Sequence, residues 1–431
     1  MNRQALNDAG KLDQGFGDGG VVAITVAGYP SVRFTCVNIG PDKKIYCAGI
    51  SERELDPNQV YTLGRFNADG TVDSGFGIAG FAYGIYPGYE LSKVQSLAFQ
   101  PDGKIIVACT VYTTESREAP ALSRYGADGW LDPEFGTHGR TVLDITLTPP
   151  AANTPSTASG IPSGNGSTPH GVEVLPDGKI LTFQHYYFNP EQSHGLIIRL
   201  DNKGTLDPDF NQTGYIPVIH PAYALKATVL RNIMVQTDGK YLGCGNVYGN
   251  ADRPNSALFV RYDSTGQLDP GFGDGGFVTV VDGTHSILLE GMVQQPNQRI
   301  LGFGSTLFPN YGSLISIEPD GSPNIQFNGG KPLNTVLEDD ATGTWEGAAI
   351  QKDGKIVVAG GIAMGREVDI VVARFIDAQF DPAFNEGQGW VRTHLENGAQ
   401  YATGMTLQED GKILVCARLP NNKSVLLRYL A

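Results

Sequence analysis

Cysteine is scarce in this sequence. The 431 residues hold five, an odd number with no Cys-x-x-Cys and no paired Cys/His spacing, which excludes a disulfide framework and a zinc finger. Four of them, Cys47, Cys109, Cys244 and Cys416, stand where other copies of an internal repeat place Val, Ala or Gly, so small buried hydrophobes are expected there. Long apolar runs are missing too, and Met1-Asn-Arg-Gln-Ala-Leu-Asn-Asp8 lacks the apolar stretch of a secretory signal. The expectation is a soluble chain without membrane insertion, cytoplasmic or exported without a cleavable signal peptide. Positive charge is in deficit, 31 Lys and Arg against 45 Asp and Glu for a net charge of −14. Such a surface does not suit DNA, RNA or an anionic bilayer, whose binding requires phosphates to be neutralised. Sustained 3.6-residue periodicity is absent as well, which predicts minimal helix.

Glycine, in contrast, is abundant at 56 residues. That is about 13% where roughly 7% is ordinary, and it points to many tight turns. The phrase Leu-Asp-x-x-Phe-Gly recurs seven times with variations, its aromatic residue at Phe16, Phe76, Phe135, Phe210, Phe272, Phe327 and Phe384. A second phrase, Asp-Gly-Lys-Ile before a short apolar run, begins at Asp42, Asp102, Asp177, Asp238, Asn297, Asp353 and Asp410, spaced 60, 75, 61, 59, 56 and 57 residues apart. Seven units of about 62 residues fill the chain and leave no room for a separate catalytic domain.

Within a unit the grammar is that of strands. Val94 to Phe99, a Gln-Pro-Asp-Gly turn and Lys104-Ile-Ile-Val-Ala108 read as a hairpin. A third strand ends Arg-Tyr or Arg-Phe, as at Tyr125, Tyr262, Phe375 and Tyr429, and a short fourth strand follows the Leu-Asp-x-x-Phe-Gly phrase. Four such strands describe a propeller blade. The fold predicted is therefore all-β: one seven-bladed β-propeller domain over residues 1–431, with four-stranded antiparallel blades. The sequence ends on a third strand and begins with the turn that follows one. Residues Val21 to Thr25 are thus expected to complete the blade built from about residue 400 to 430, closing the ring and covering sheet edges.

Units of this length carrying Asp-Gly-Lys-Ile, Arg-Tyr and Leu-Asp-x-x-Phe-Gly resemble the bacterial delta-60 repeat, a β-propeller module. The resemblance spans essentially the whole chain, although Pro323-Asn-Ile-Gln-Phe327 and Asn297-Gln-Arg-Ile300 depart from the pattern. It implies the fold and no shared activity.

Identical groups recurring once per blade are expected to solve a packing problem, with the phenylalanines plugging the gaps between blades and each Asp capping its own turn. Function is assigned instead to the opposite face, whose loops differ from copy to copy. One feature there is an insertion at about 146–168, rich in Pro, Ala, Ser, Thr and Gly, read as a surface loop or a lid. Another is a register of polar residues seven positions before each turn residue: Thr35, Gln95, His170, Arg231, Glu290, Glu346 and Thr403. Positions two and four residues later read as the same strand face and are apolar, apart from Gln294. The seven predict a ring at the channel mouth, serving either as a solvated funnel or as a polar pocket with Trp345 and Tyr401 as stacking surfaces. Blade three adds Tyr186 and Tyr187, and it gathers His170, His185, His194 and His220 without an established ligand spacing.

Three functions compete on this basis. The first is a non-enzymatic platform recognising a carbohydrate, peptide or protein through the variable face. The second is a propeller lyase or hydrolase with Glu290 or Glu346 as base, His170 as acid and Arg231 holding an anionic group, with a divalent cation as the one cofactor considered. The third is a structural adhesive or exported surface protein.

Overall fold

In the computed structural model, residues 8–53, 59–112, 118–147, 171–189, 192–223, 227–249, 254–283, 285–338 and 341–431 are described. They form seven antiparallel sheets of four strands arranged as the blades of a propeller, with a short extra strand, Gln379–Phe380, in the sixth. Among the described residues the helical segments are single 3₁₀ turns. The innermost strands of blades 1 to 7 are Ser31–Ile39, Leu91–Phe99, Val172–Val174, Thr228–Val235, Ser286–Gln294, Thr342–Ile350 and Tyr401–Leu407. Second strands such as Ile105–Tyr112 and Ile356–Met364 are buried along nearly their whole length, because a neighbouring sheet covers each of their faces. This is why they read as unbroken β-branched and small apolar runs. All five cysteines are free and buried.

The ring closes as expected. Val21–Ile24 pairs antiparallel with Lys423–Tyr429, so the start of the chain supplies the outermost strand of blade 7.

The repeated phrases build one clasp per blade. In six blades the Arg of the third strand meets the Asp of the Leu-Asp-x-x-Phe phrase at 2.7 to 2.8 Å, in the pairs Arg65–Asp73, Arg124–Asp132, Arg199–Asp207, Arg261–Asp269, Arg374–Asp381 and Arg428–Asp13. The Lys of the Asp-Gly-Lys turn reaches the same carboxylate at 2.8 to 3.3 Å in five of them, and Lys44 does so for Asp73. The other carboxylate oxygen accepts from the backbone N–H two residues on, which is the turn-capping role expected of it. Each guanidinium also lies over its blade's phenylalanine, 4.4 to 4.8 Å from the ring centroid.

The clasp reaches the next blade as well. Arg65 donates to the Ala127 carbonyl at 2.6 Å, and Arg199 and Arg261 donate to those of Ser264 and Pro319 at 2.5 Å. Phe16 is fully buried against Gly70 of blade 1, whose φ is +91° and where a Cβ would lie 2.8 Å from the ring. The phenylalanines do plug the seams. Blade 5 replaces the ion pair with a neutral one, Asn324 Nδ2 to Ser316 Oγ at 3.0 Å.

Candidate functional site

The polar register is the residue skipped by a β-bulge. In six blades the pairing of the first and second strands breaks register, at Phe34/Cys36, Val94/Ser96, Leu230/Asn232, Leu289/Gly291, Trp345/Gly347 and Ala402/Gly404. The residues passed over are Thr35, Gln95, Arg231, Glu290, Glu346 and Thr403. A bulge re-aims one side chain and leaves its neighbourhood with unused backbone groups. The blade 3 member, His170, lies outside the described residues, as do the insertion beyond residue 147 and the side chain of Tyr187.

The backbone carbonyl just before the bulge is taken up by the preceding blade. Thr403 Oγ1 donates to the Phe34 carbonyl at 3.0 Å, and Thr35 Oγ1 donates to that of Val94 at 3.2 Å. His185 Nε2 reaches the Leu230 carbonyl at 2.5 Å, which makes it the protonated nitrogen of that ring. Asn246 donates through Nδ2 to the Leu289 carbonyl at 3.3 Å and accepts through Oδ1 from the Leu289 N–H at 2.9 Å. At the seam of blades 2 and 3, Gln95 Nε2 donates to Thr110 Oγ1 at 2.7 Å and to Gln184 Oε1 at 3.1 Å.

Blades 4, 5 and 6 bring charge to the same position. Arg231 Nη1 stands 4.0 Å from Glu290 Oε2, and the two side chains keep 26% and 12% exposure. Glu346 follows on blade 6, its Oε1 accepting from Thr344 Oγ1 at 2.8 Å. Burial pushes the Glu290 carboxyl up to about 7; Arg231 opposes the shift and the Glu346 carboxylate adds to it. His185 is driven down to about 4, first by burial and then by the charges of Arg231 and Lys93, so it is neutral at pH 7. Burial and the nearby Arg231 lower the ammonium of Lys93. Glu173, three positions beyond His170 on the inner strand of blade 3, is pushed up to about 7 by burial.

Two expectations change. Trp345 is 1% exposed, and its Nε1–H donates to Thr335 Oγ1 at 3.0 Å. It presents no open stacking face, because the residue before a bulge points into the seam, as Phe34, Val94, Leu230 and Leu289 also do. Trp345 lines a separate crevice between blades 5 and 6 with Gly312, Leu337 and Ile362. The bulge also shifts the side-chain parity. Residues two after the ring, such as Val37 and Ile233, are core, and the half-buried face resumes three after it, at Asn38 and Met234; Glu173 holds the corresponding place in blade 3.

Tyr401 is half-buried, with its hydroxyl accepting from Arg418 Nη1 at 3.2 Å. Tyr186 packs on Phe188 with ring centroids 4.9 Å apart. His194 is 2% exposed, and His220 lies 5.0 Å from Tyr223 and 4.9 Å from Phe277. Among the described residues no group of three His, Cys, Asp or Glu is placed to hold a metal ion.

Sequence reasoning missed Lys93, Glu173 and the placement of His185. Lys93 was legible, being two positions before Gln95 and so on the same face. Glu173 holds the place, three positions after the register, where the half-buried face resumes in other blades, and simple alternation does not mark that place.

Residues 40–76, 100–135 and 236–272 match the family model of a domain of unknown function (DUF5122) β-propeller. Each match runs from the turn between the first two strands to the clasp phenylalanine, so the similarity falls on the part of the repeat that builds the clasp. No curated protein matches the chain. Among solved structures, the polysaccharide lyase Uly1 is 11% identical and aligns over 100% of this chain and 95% of that one, with a TM-score of 0.51. The β-propeller domain of the Trilobed protease from Pyrococcus furiosus is 11% identical over 93% and 94%, at 0.47. Sqt1 from Chaetomium thermophilum is 12% identical over 94% and 97%, at 0.45. At 11% identity the likeness to the lyase is one of fold alone. No helix among the described residues is long and apolar enough to cross a membrane.

Proposed function

We propose that this protein, a propeller of the delta-60 kind, is a rigid binding platform that takes a carbohydrate, peptide or protein segment at the mouth of its channel, on the face of the variable loops. One observation carries the reading. A single bulge position serves two purposes: Thr403, Thr35 and Gln95 use it to bond neighbouring blades, whereas Arg231, Glu290 and Glu346 fill it with partly exposed charge. A seam needs only a donor such as a hydroxyl, so a guanidinium and two carboxylates there exceed the structural need, and burying charge is costly. Glycan and peptide arrays probed with the wild type, Arg231→Ala and Glu290→Gln test this. Loss of at least tenfold in signal in both variants supports the platform, and unchanged binding moves the site elsewhere.

A second reading, a lyase or hydrolase in the same ring, is favoured by the Glu290 carboxyl at about 7, where an acid or base works best at neutral pH. Arg231 would hold an anionic substrate group and Glu290 or Glu346 would move the proton. Turnover of a broad polysaccharide and ester panel that survives both Glu→Gln changes would rule it out.

A further inference from the structure

At the height of the bulge, charge in the ring falls into two arcs, with Glu118 acting on Lys93 from the same blade and Glu173 three positions further along the inner strand of blade 3. Lys93 of blade 2 and Arg231 of blade 4 lie near enough for their charges to act on each other and on His185 between them. Glu290 and Glu346 occupy the next two blades, and their charges are coupled in turn. The ion pair that joins the two arcs is left wide: 4.0 Å separates Arg231 Nη1 from Glu290 Oε2, and that oxygen accepts no hydrogen bond. The uncharged members of the ring are committed elsewhere, Thr35, Gln95 and Thr403 to their seams.

We propose that the channel mouth binds a free α-amino acid, its carboxylate set against Lys93 and Arg231 and its ammonium against Glu290 and Glu346. The proposal rests on the reading of the ring as a ligand site and names the ligand's chemistry. A simple anion at this mouth meets two carboxylates, and a simple cation meets an ammonium and a guanidinium. A small dipole satisfies both arcs at once, and complementary charge sets specificity more than raw affinity does. His185 is spent on the Leu230 carbonyl, so it positions blade 4 and adds no charge to the ligand.

Calorimetric titration of the full chain near pH 7.5 with L-alanine, L-leucine, L-glutamate and L-lysine, each beside its N-acetyl and carboxamide derivatives, tests the assignment. At least one free amino acid should bind, both of its blocked derivatives should bind at least tenfold more weakly, and Arg231→Ala should abolish binding. Arg231→Lys, which keeps the charge, should retain part of it and serves with a thermal melt as the control for folding. The proposal is overturned if no free amino acid of the set binds, or if either derivative binds as well as its parent. D-galacturonate and neutral oligosaccharides in the same titrations separate this failure from that of the broader reading. Saccharide binding lost in Arg231→Ala leaves the channel mouth as a site for another ligand, whereas saccharide binding that ignores Arg231 removes the site altogether.

Discussion

The Asp of the repeated phrase carries more of the fold than its turn-capping role suggests. Burial opposes its ionisation, yet backbone N–H groups, the turn Lys and the strand Arg hold Asp207, Asp269 and Asp381 below the usual carboxylate range. Replacing Arg199 by Ala leaves Asp207, 4% exposed, with the Lys179 ammonium and the Asp209 N–H, and such a loss should destabilise the protein by about 3 kcal/mol. Blade 5 supplies the control, since Ser316 and Asn324 occupy the same places uncharged. The double change Arg199→Ser, Asp207→Asn should recover much of that loss in denaturant melts; a double variant as unstable as Arg199→Ala would show that the carboxylate is not the source of the cost. A depressed folded-state pKa stabilises above the unfolded value and is lost as pH falls through the folded one, so these aspartates should make the protein acid-labile below roughly pH 4. Glu290 has the opposite sign. Its folded-state carboxyl lies near 7 against 4.5, so its penalty grows as pH rises between those values and is complete above them. Glu290→Gln should therefore gain stability over the wild type at pH 8 and little at pH 5, by up to about 3 kcal/mol. Melts showing the same difference at both pH values would refute the buried-charge account.

At the scale of the strand, legibility depended on whether a pattern repeats from unit to unit or changes parity within one. The Phe plugs and the closing strand Val21–Ile24 were legible because each repeats a phrase or completes one. The polar register was legible as a register, since seven aligned sequences expose any shared position, but not as a bulge. A one-residue bulge reverses which face each later side chain takes, and sequence alternation alone carries no mark of that reversal. Glu173 was overlooked because it falls where the half-buried face resumes in the other blades, whereas Trp345, one residue before Glu346, takes the opposite face by alternation alone. The partner of a bulge is often a residue with no room for a side chain: a Cβ on Gly49, Gly245, Gly304 or Gly360 would lie 1.8 to 2.0 Å from a first-strand carbonyl oxygen. The bulge makes demands that can be measured. Asn246, fully buried, satisfies both backbone groups of Leu289 across a seam, and Asn246→Leu removes both partners at once. Destabilisation of about 2 kcal/mol or more is expected in urea melts, with the midpoint lowered and the slope unchanged. A value near zero would mean that those backbone groups find other partners.

For the molecule as a whole, the open question of any ring is what holds its ends. Here the seam between blades 7 and 1 depends on residues far apart in sequence. Asp13 completes the clasp of Arg428 at 2.8 Å, Phe16 fills the gap to blade 1, and Ser424 Oγ accepts from the Phe34 N–H at 2.9 Å. Removing residues 1–28 takes away the outermost strand of blade 7, the plug and the clasp carboxylate together. It also uncovers the edge of Lys423–Tyr429, a ready template for pairing with another chain. Blade 7 contributes Leu414, Cys416 and Leu426 to the same apolar cluster as Phe34 and Cys47 of blade 1, so the damage should spread to both neighbours. The truncated chain is expected to melt in two transitions or at a markedly lower temperature, and to associate through the exposed edge in sedimentation experiments. A synthetic peptide covering residues 8–28 should bind it and restore a single transition, whereas the same peptide with Phe16→Ala and Asp13→Asn should not. If the truncated chain stays monomeric and melts as the wild type does, closure by the amino-terminal strand is not what keeps the propeller intact.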